Sequence, residues 1–163
     1  MQYFQAFGLE PKLAIDLEDL KKRFYERSRQ WHPDKFSRAS ARERQQAVDM
    51  TALLNDAFRT LRDPVARAEY FLRQKGLEFS KDAPPELLEE MFEFNMAIEE
   101  SDRAQLESAR QRFMGMVEEI DRQLECLFEQ EKLEEIRTVL NRRRYVSNLV
   151  READKELNVH FSN

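Results

Sequence analysis

The sequence predicts an all-α protein in two parts, an antiparallel helical hairpin with short flanking helices followed by a three-helix bundle. Two observations carry this. Helix-breaking residues are scarce, with Gly 3 and Pro 5 in 163 residues. Charged residues make up 36% of the chain and alternate with apolar ones at steps of three and four, the spacing of amphipathic helices. The chain divides where Gly76 ends one helical pattern and Ser80-Lys81-Asp82-Ala83-Pro84-Pro85 reads as a linker. The expected units are 1–76 and 85–163, joined by residues 77–84.

In the first unit, a short helix near Tyr3 to Phe7 is expected to stop at Gly8, a natural residue just past a helix end. Asp16 with Asp19 reads as a helix start, and the stretch from Leu17 places Leu20, Phe24 and Trp31 on one face. Ser40 with Glu43 is a capping box. The helix it opens carries Val48, Thr51, Leu54, Phe58 and Leu61 as its apolar stripe. The two long helices therefore face each other as a hairpin. Asp63-Pro64, a cap followed by proline in the first turn, opens a last short helix with Tyr70 and Phe71.

In the second unit, Pro85 can occupy a first helical turn, and Leu87, Met91, Phe94 and Ile98 form a stripe. Ser101-Asp102 marks a turn, with Asp102 and Gln105 in a capping pattern. The next helix carries Leu106, Ala109, Phe113, Met116, Ile120, Leu124 and Leu127. The last begins near Lys132 and carries Leu133, Ile136, Leu140, Val150 and Leu157. Three such stripes pack as a three-helix bundle. Cys126, within this apolar pattern, reads as a small buried residue.

Composition narrows the function. The net charge is -5 and the sequence pI is about 5.3, which is not the footprint of a nucleic-acid binder. Arg142-Arg143-Arg144 reads instead as a solvated face or a rim of salt bridges. One cysteine and two histidines exclude a disulfide framework and argue against a Cys/His metal site. No apolar run approaches the roughly 20 residues that span a bilayer. Met1-Gln2-Tyr3-Phe4 shows neither a secretory nor a transit pattern. A reducing cytoplasm is the simplest placement, although a mature organelle form would read the same.

The feature that stands out is His32-Pro33-Asp34, between the two hairpin helices. Pro33 fixes its own φ and biases His32 away from helix, so the first helix must stop there. Alone, the tripeptide could be an ordinary proline-terminated loop. In context it follows a basic stretch with Lys21, Lys22, Arg23, Arg27 and Arg29, and precedes Lys35-Phe36. An exposed loop of this kind would offer the Asp34 carboxylate to an arginine on a partner. A catalytic dyad or metal pair of His32 and Asp34 lacks both a nucleophile and a third ligand.

With Asn55 to Tyr70 reading N-x-A-(aromatic)-x-x-L-x-D-P-x-x-R-A-x-Y in outline, residues 3–73 resemble a J-domain. Tyr3-Phe4, Phe7-Gly8-Leu9, Arg29 to Phe36 and Arg67-Ala68-Glu69-Tyr70 are similar to the HscB/Jac branch, the J-domain co-chaperones of iron–sulfur cluster assembly. There is no Gly/Phe-rich linker and no cysteine-rich zinc region, and the C-terminal part fits that branch in length and layout. The resemblance implies a non-enzymatic co-chaperone without cofactor or metal. It would stimulate the ATPase of an HscA/DnaK-type chaperone and deliver an IscU-like iron–sulfur scaffold protein to it. The chaperone-binding residues expected are His32, Pro33, Asp34, Lys35, Lys21, Lys22 and Arg29. The alternatives are a J-domain co-chaperone for another client, or an autonomous helical enzyme or metal protein built on His32 and Asp34.

The scaffold site is expected on the first helix of the second unit. At about 100° per residue, Leu88, Phe92 and Met96 form a second apolar stripe beside Leu87, Met91 and Phe94. A bundle helix buries one stripe, so the other, rimmed by Glu89, Glu93, Glu99 and Glu100, is expected on the surface as an interaction patch unless the first unit covers it. The resemblance assigns scaffold binding to Leu88, Phe92, Glu93 and Met96, with Tyr145 from the last helix. Met96 stands where the family pattern leads one to expect an acidic residue.

Overall fold

In the computed structural model, residues 1–78, 84–97 and 102–161 are described; Ile98, Glu99, Glu100, Ser101 and residues 79–83 lie outside them. The described residues form helices and turns without a strand. The chain splits into two units, Met1–Leu77 and Glu78–Asn163.

The first unit contains α1 (Gln2–Ala6), α2 (Leu17–Gln30), a 3₁₀ turn (Pro33–Phe36), α3 (Ala41–Arg62) and α4 (Pro64–Gln74). Local chemistry sets each boundary. Asp16 accepts hydrogen bonds from the N–H groups of Glu18 and Asp19, and Asp63 accepts from that of Ala66. Ser40 and Glu43 close the expected capping box in both directions. α1 and α4 end alike. Gly8 at φ 63° and Gly76 at φ 75° each take the left-handed conformation. The following residues, Leu9 and Leu77, donate back to the carbonyls of Phe4 and Leu72. Each is the Schellman termination that only glycine adopts without strain.

The core of this unit is built from Phe4, Phe7, Leu13, Leu20, Leu54, Leu61 and Leu72, all fully buried. Phe24 of α2 stacks on Phe58 of α3 with centroids 4.3 Å apart, which fixes the hairpin level by level. The stripe on α3 differs from expectation at one position. Val48 is 52% exposed, and Ala47 is buried in its place with Leu54, Ala57 and Leu61. The buried face thus runs through two alanines, one of them a heptad before Leu54.

The second unit contains α5 (Pro85–Ala97), α6 (Arg103–Gln130) and α7 (Leu133–Phe161). Asp102 and Gln105 form the second capping box. Leu87 and Phe94 of α5 are buried, and the Phe94 ring meets Phe113 of α6 edge-on at 5.2 Å. α6 and α7 form a long antiparallel pair joined at Glu131, which is in the left-handed conformation at φ 49°. Arg110 pairs with Asp154, and Arg143 with Asp121. The two pairs lie eleven residues apart on both helices, about three turns, so they specify one register. Cys126 is exposed, contrary to expectation. It lies about 200° round the helix from buried Leu124, hence on the opposite face.

Candidate functional site

The His32-Pro33-Asp34 loop is short and firmly held. α2 ends with Trp31, whose N–H donates to the Arg27 carbonyl, and the 3₁₀ turn starts at Pro33. The Lys35 N–H donates to the His32 carbonyl at 3.0 Å. The Asp34 N–H donates to Nδ1 of His32 at 3.3 Å. The Asp34 carboxylate lies 3.5 Å from the same nitrogen. The side chains of His32, Pro33, Asp34 and Lys35 are all exposed.

The turn is anchored from both ends by rings. Trp31 and Phe36 stack with centroids 5.8 Å apart. From α3, the Thr51 hydroxyl lies 2.8 Å from the Ala47 carbonyl and 3.3 Å from the Trp31 carbonyl. Its one proton is shared, with Ala47 the nearer acceptor. The loop backbone is therefore fixed while its polar side chains point to solvent. Sequence reading placed Trp31 on the apolar face of α2 but did not see Phe36 as its partner.

Lys21, Lys22 and Arg29 are exposed on α2, the helix that leads into this turn. Arg23, part of the same basic run, is engaged elsewhere. Its Nε donates to Asp19 at 2.8 Å and its Nη1 to the carbonyls of Phe7 and Gly8, which ties the end of α1 to α2.

The second candidate site is the outer face of α5. Leu88, Phe92 and Met96 are 53%, 66% and 66% exposed, and Glu93 is exposed beside them. Leu87 and Phe94 are buried, so the helix presents one stripe to its bundle and the other to solvent. α5 packs against α7, which carries Tyr145. Tyr145 is half-buried, with the Arg144 guanidinium 5.3 Å over its ring. Arg144 also donates to Asn141, and Arg143 to Asp121, so these two arginines are tied to side chains of the bundle. Among the described residues, no group of three or more His, Cys, Asp or Glu side chains could hold a metal ion. No helix of the described residues is long and apolar enough to cross a membrane.

Comparison with known proteins agrees with both halves of this layout. Residues 2–70 match the DnaJ domain family, and residues 83–154 match the family described as the HSCB C-terminal oligomerisation domain. The chain is 37% identical to the co-chaperone protein HscB homolog of Vibrio vulnificus over 136 residues, 80% of each chain. It is 41% identical over 106 residues to the homolog from Neisseria meningitidis, and there the match spans 63% of the relative's length. Among solved structures, chaperone HscB from Vibrio cholerae superposes with a TM-score of 0.73 at 29% identity, covering 95% of this chain and 96% of that one. The human co-chaperone protein HscB gives a TM-score of 0.77 at 27% identity, covering 94% of this chain and 81% of that one. The arrangement is a J-domain followed by a C-terminal helical domain, and the chain belongs to the HscB co-chaperone family.

Proposed function

We propose that the chain is a co-chaperone that stimulates ATP hydrolysis by an HscA/DnaK-type chaperone in the cytoplasm and delivers an IscU-like iron–sulfur scaffold protein to it. The observation that carries this reading is the His32-Pro33-Asp34 turn, exposed in its side chains and fixed in its backbone by the Trp31–Phe36 stack. Such a turn is pre-organised for docking, because little conformational freedom is lost when a partner seats on it.

In this reading Asp34 pairs with an arginine of the ATP-bound chaperone, and Lys21, Lys22, Arg29 and Lys35 orient the encounter against an acidic surface. Opposite charge acts there mainly on association rate and register. The residues that cleave ATP belong to the chaperone. The J-domain shifts the chaperone toward its hydrolysing, tight-holding state, which requires that it bind the chaperone's states with different affinity. Leu88, Phe92, Met96, Glu93 and Tyr145 hold the scaffold protein meanwhile. One chain then brings both ligands into a single encounter and raises their effective concentration.

The test is single-turnover ATP hydrolysis by a purified HscA-type chaperone with wild-type chain or Asp34→Asn. Acceleration by the wild type and none by the folded variant supports the reading. Equal acceleration by both removes Asp34 from it.

A further inference from the structure

We infer that Tyr25 is the apolar anchor of the chaperone-docking face, with a shallow apolar recess on an acidic surface of the ATPase chaperone as its seat; this rests on the docking role proposed above. Tyr25 is 52% exposed on α2. Among the described residues of the first unit, it is the one aromatic ring among the large exposed apolar side chains. At about 100° per residue, Lys21, Lys22 and Arg29 lie roughly 40–60° to either side of it. The ring thus stands at the centre of the face whose rim is cationic, on the helix that runs directly into the His32-Pro33-Asp34 turn.

The core does not require this ring. Its neighbour Phe24 does the packing, stacked on Phe58. Tyr25 lies against the edge of that stack, 5.7 Å from Phe24 at an interplanar angle of 55°. A braced aromatic loses little side-chain freedom on binding, and tyrosine and tryptophan dominate the residues that carry interface energy. The surrounding positive charge is local in a chain of net charge -5, which selects an acidic partner surface. A central apolar residue inside a charged rim is the layout in which the centre sets the dissociation rate and the rim the association rate.

The test titrates an HscA-type chaperone with wild type, Tyr25→Ala, Tyr25→Phe and Lys22→Ala, reading steady-state ATPase at low and high salt, with helical content checked by circular dichroism. For Tyr25→Ala, the half-stimulating concentration should rise about fivefold or more with the plateau unchanged. That deficit should persist at high salt, whereas the Lys22→Ala deficit should fade as charges are screened. Tyr25→Phe should behave as wild type. A Tyr25→Ala chain within about twofold of wild type overturns the inference, as does a Tyr25→Phe chain as weak as Tyr25→Ala, since the hydroxyl and not the ring would then be at work. Stimulation absent even with wild type overturns the docking role itself, a result distinct from either.

Discussion

The rings of Trp31 and Phe36 stack within 7° of parallel and bracket the four residues between them, His32 to Lys35. One ring ends α2 and the other ends the 3₁₀ turn, so the stack sets the distance and angle across which the loop is strung. A stacked aromatic pair contributes about 0.5–1.5 kcal/mol beyond the area it buries.

Replacing Phe36 by Ala should therefore lower the unfolding free energy by about 1–2 kcal/mol. It should also weaken chaperone stimulation several-fold, although His32, Pro33 and Asp34 are untouched. Urea denaturation and ATPase titration measure the two effects. Full stimulation at the wild-type concentration dependence would show that the stack does not position the loop.

Two phenylalanines two residues apart on α5 should respond oppositely. Phe92 is on the solvent face, so Phe92→Ala should leave stability within about 0.5 kcal/mol while weakening scaffold binding at least tenfold. Phe94 is buried against Phe113, so Phe94→Ala should destabilise the unit by about 3–5 kcal/mol. Thermal melts and calorimetric titration of an IscU-type scaffold separate them, and a large loss of stability in Phe92→Ala would place that ring in the core.

Glu131 holds a left-handed backbone at the α6–α7 joint, φ 49°. Glycine adopts that conformation freely, so Glu131→Gly should stabilise the protein by about 1 kcal/mol. An unchanged or lowered melting temperature would mean that the side chain compensates for the strain.

The capping box at the start of α3 has a pH signature. The hydroxyl and then the backbone N–H of Ser40 hold the Glu43 carboxyl below its ordinary value. Its folded-state value is thus lower than its unfolded one, so its contribution is present above the unfolded value and is lost as pH falls through the folded one. Glu43→Gln should flatten the acid limb of the stability profile by lowering stability at neutral pH, where the carboxylate is ionised, while matching the parent protein in acid. An identical acid limb in both proteins would show that the carboxylate carries no such linkage.

Much of this fold is legible because its boundaries are written in short-range chemistry. Asp16, Ser40 with Glu43, Asp63-Pro64, Asp102 with Gln105, Gly8 and Gly76 each act within one turn. Apolar registers are less legible where small residues do the packing. Val48 looks like the core residue by hydrophobicity, yet at about 100° per residue it lies roughly 120° round the helix from Leu54, whereas Ala47 lies roughly 20° from it and is buried. On α7, Val139, Val146, Leu149 and Ala153 are buried without having stood out beside Ile136 and Leu140. Cys126 shows the converse, an apolar neighbour of core residues on the wrong side of the helix.

At the candidate sites, the exposed stripe of Leu88, Phe92 and Met96 is visible from periodicity, since a bundle helix has only one inner face. The Trp31–Phe36 stack and the exposure of Tyr25 were hidden. The first joins residues across a proline-bent turn that has no helical period. The second depends on which of two adjacent rings, Phe24 or Tyr25, faces α3.

In this reading one chain carries two independent sites, and a crossed measurement separates them. Asp34→Asn and the double variant Phe92→Ala/Tyr145→Ala are each assayed for stimulation of an HscA-type ATPase without scaffold, and by calorimetry for binding of an IscU-type scaffold. Asp34→Asn should bind scaffold as wild type but stimulate nothing, and the double variant should stimulate as wild type but lose scaffold binding. Loss of both activities in either folded variant, or absence of scaffold binding by the wild type, would contradict it.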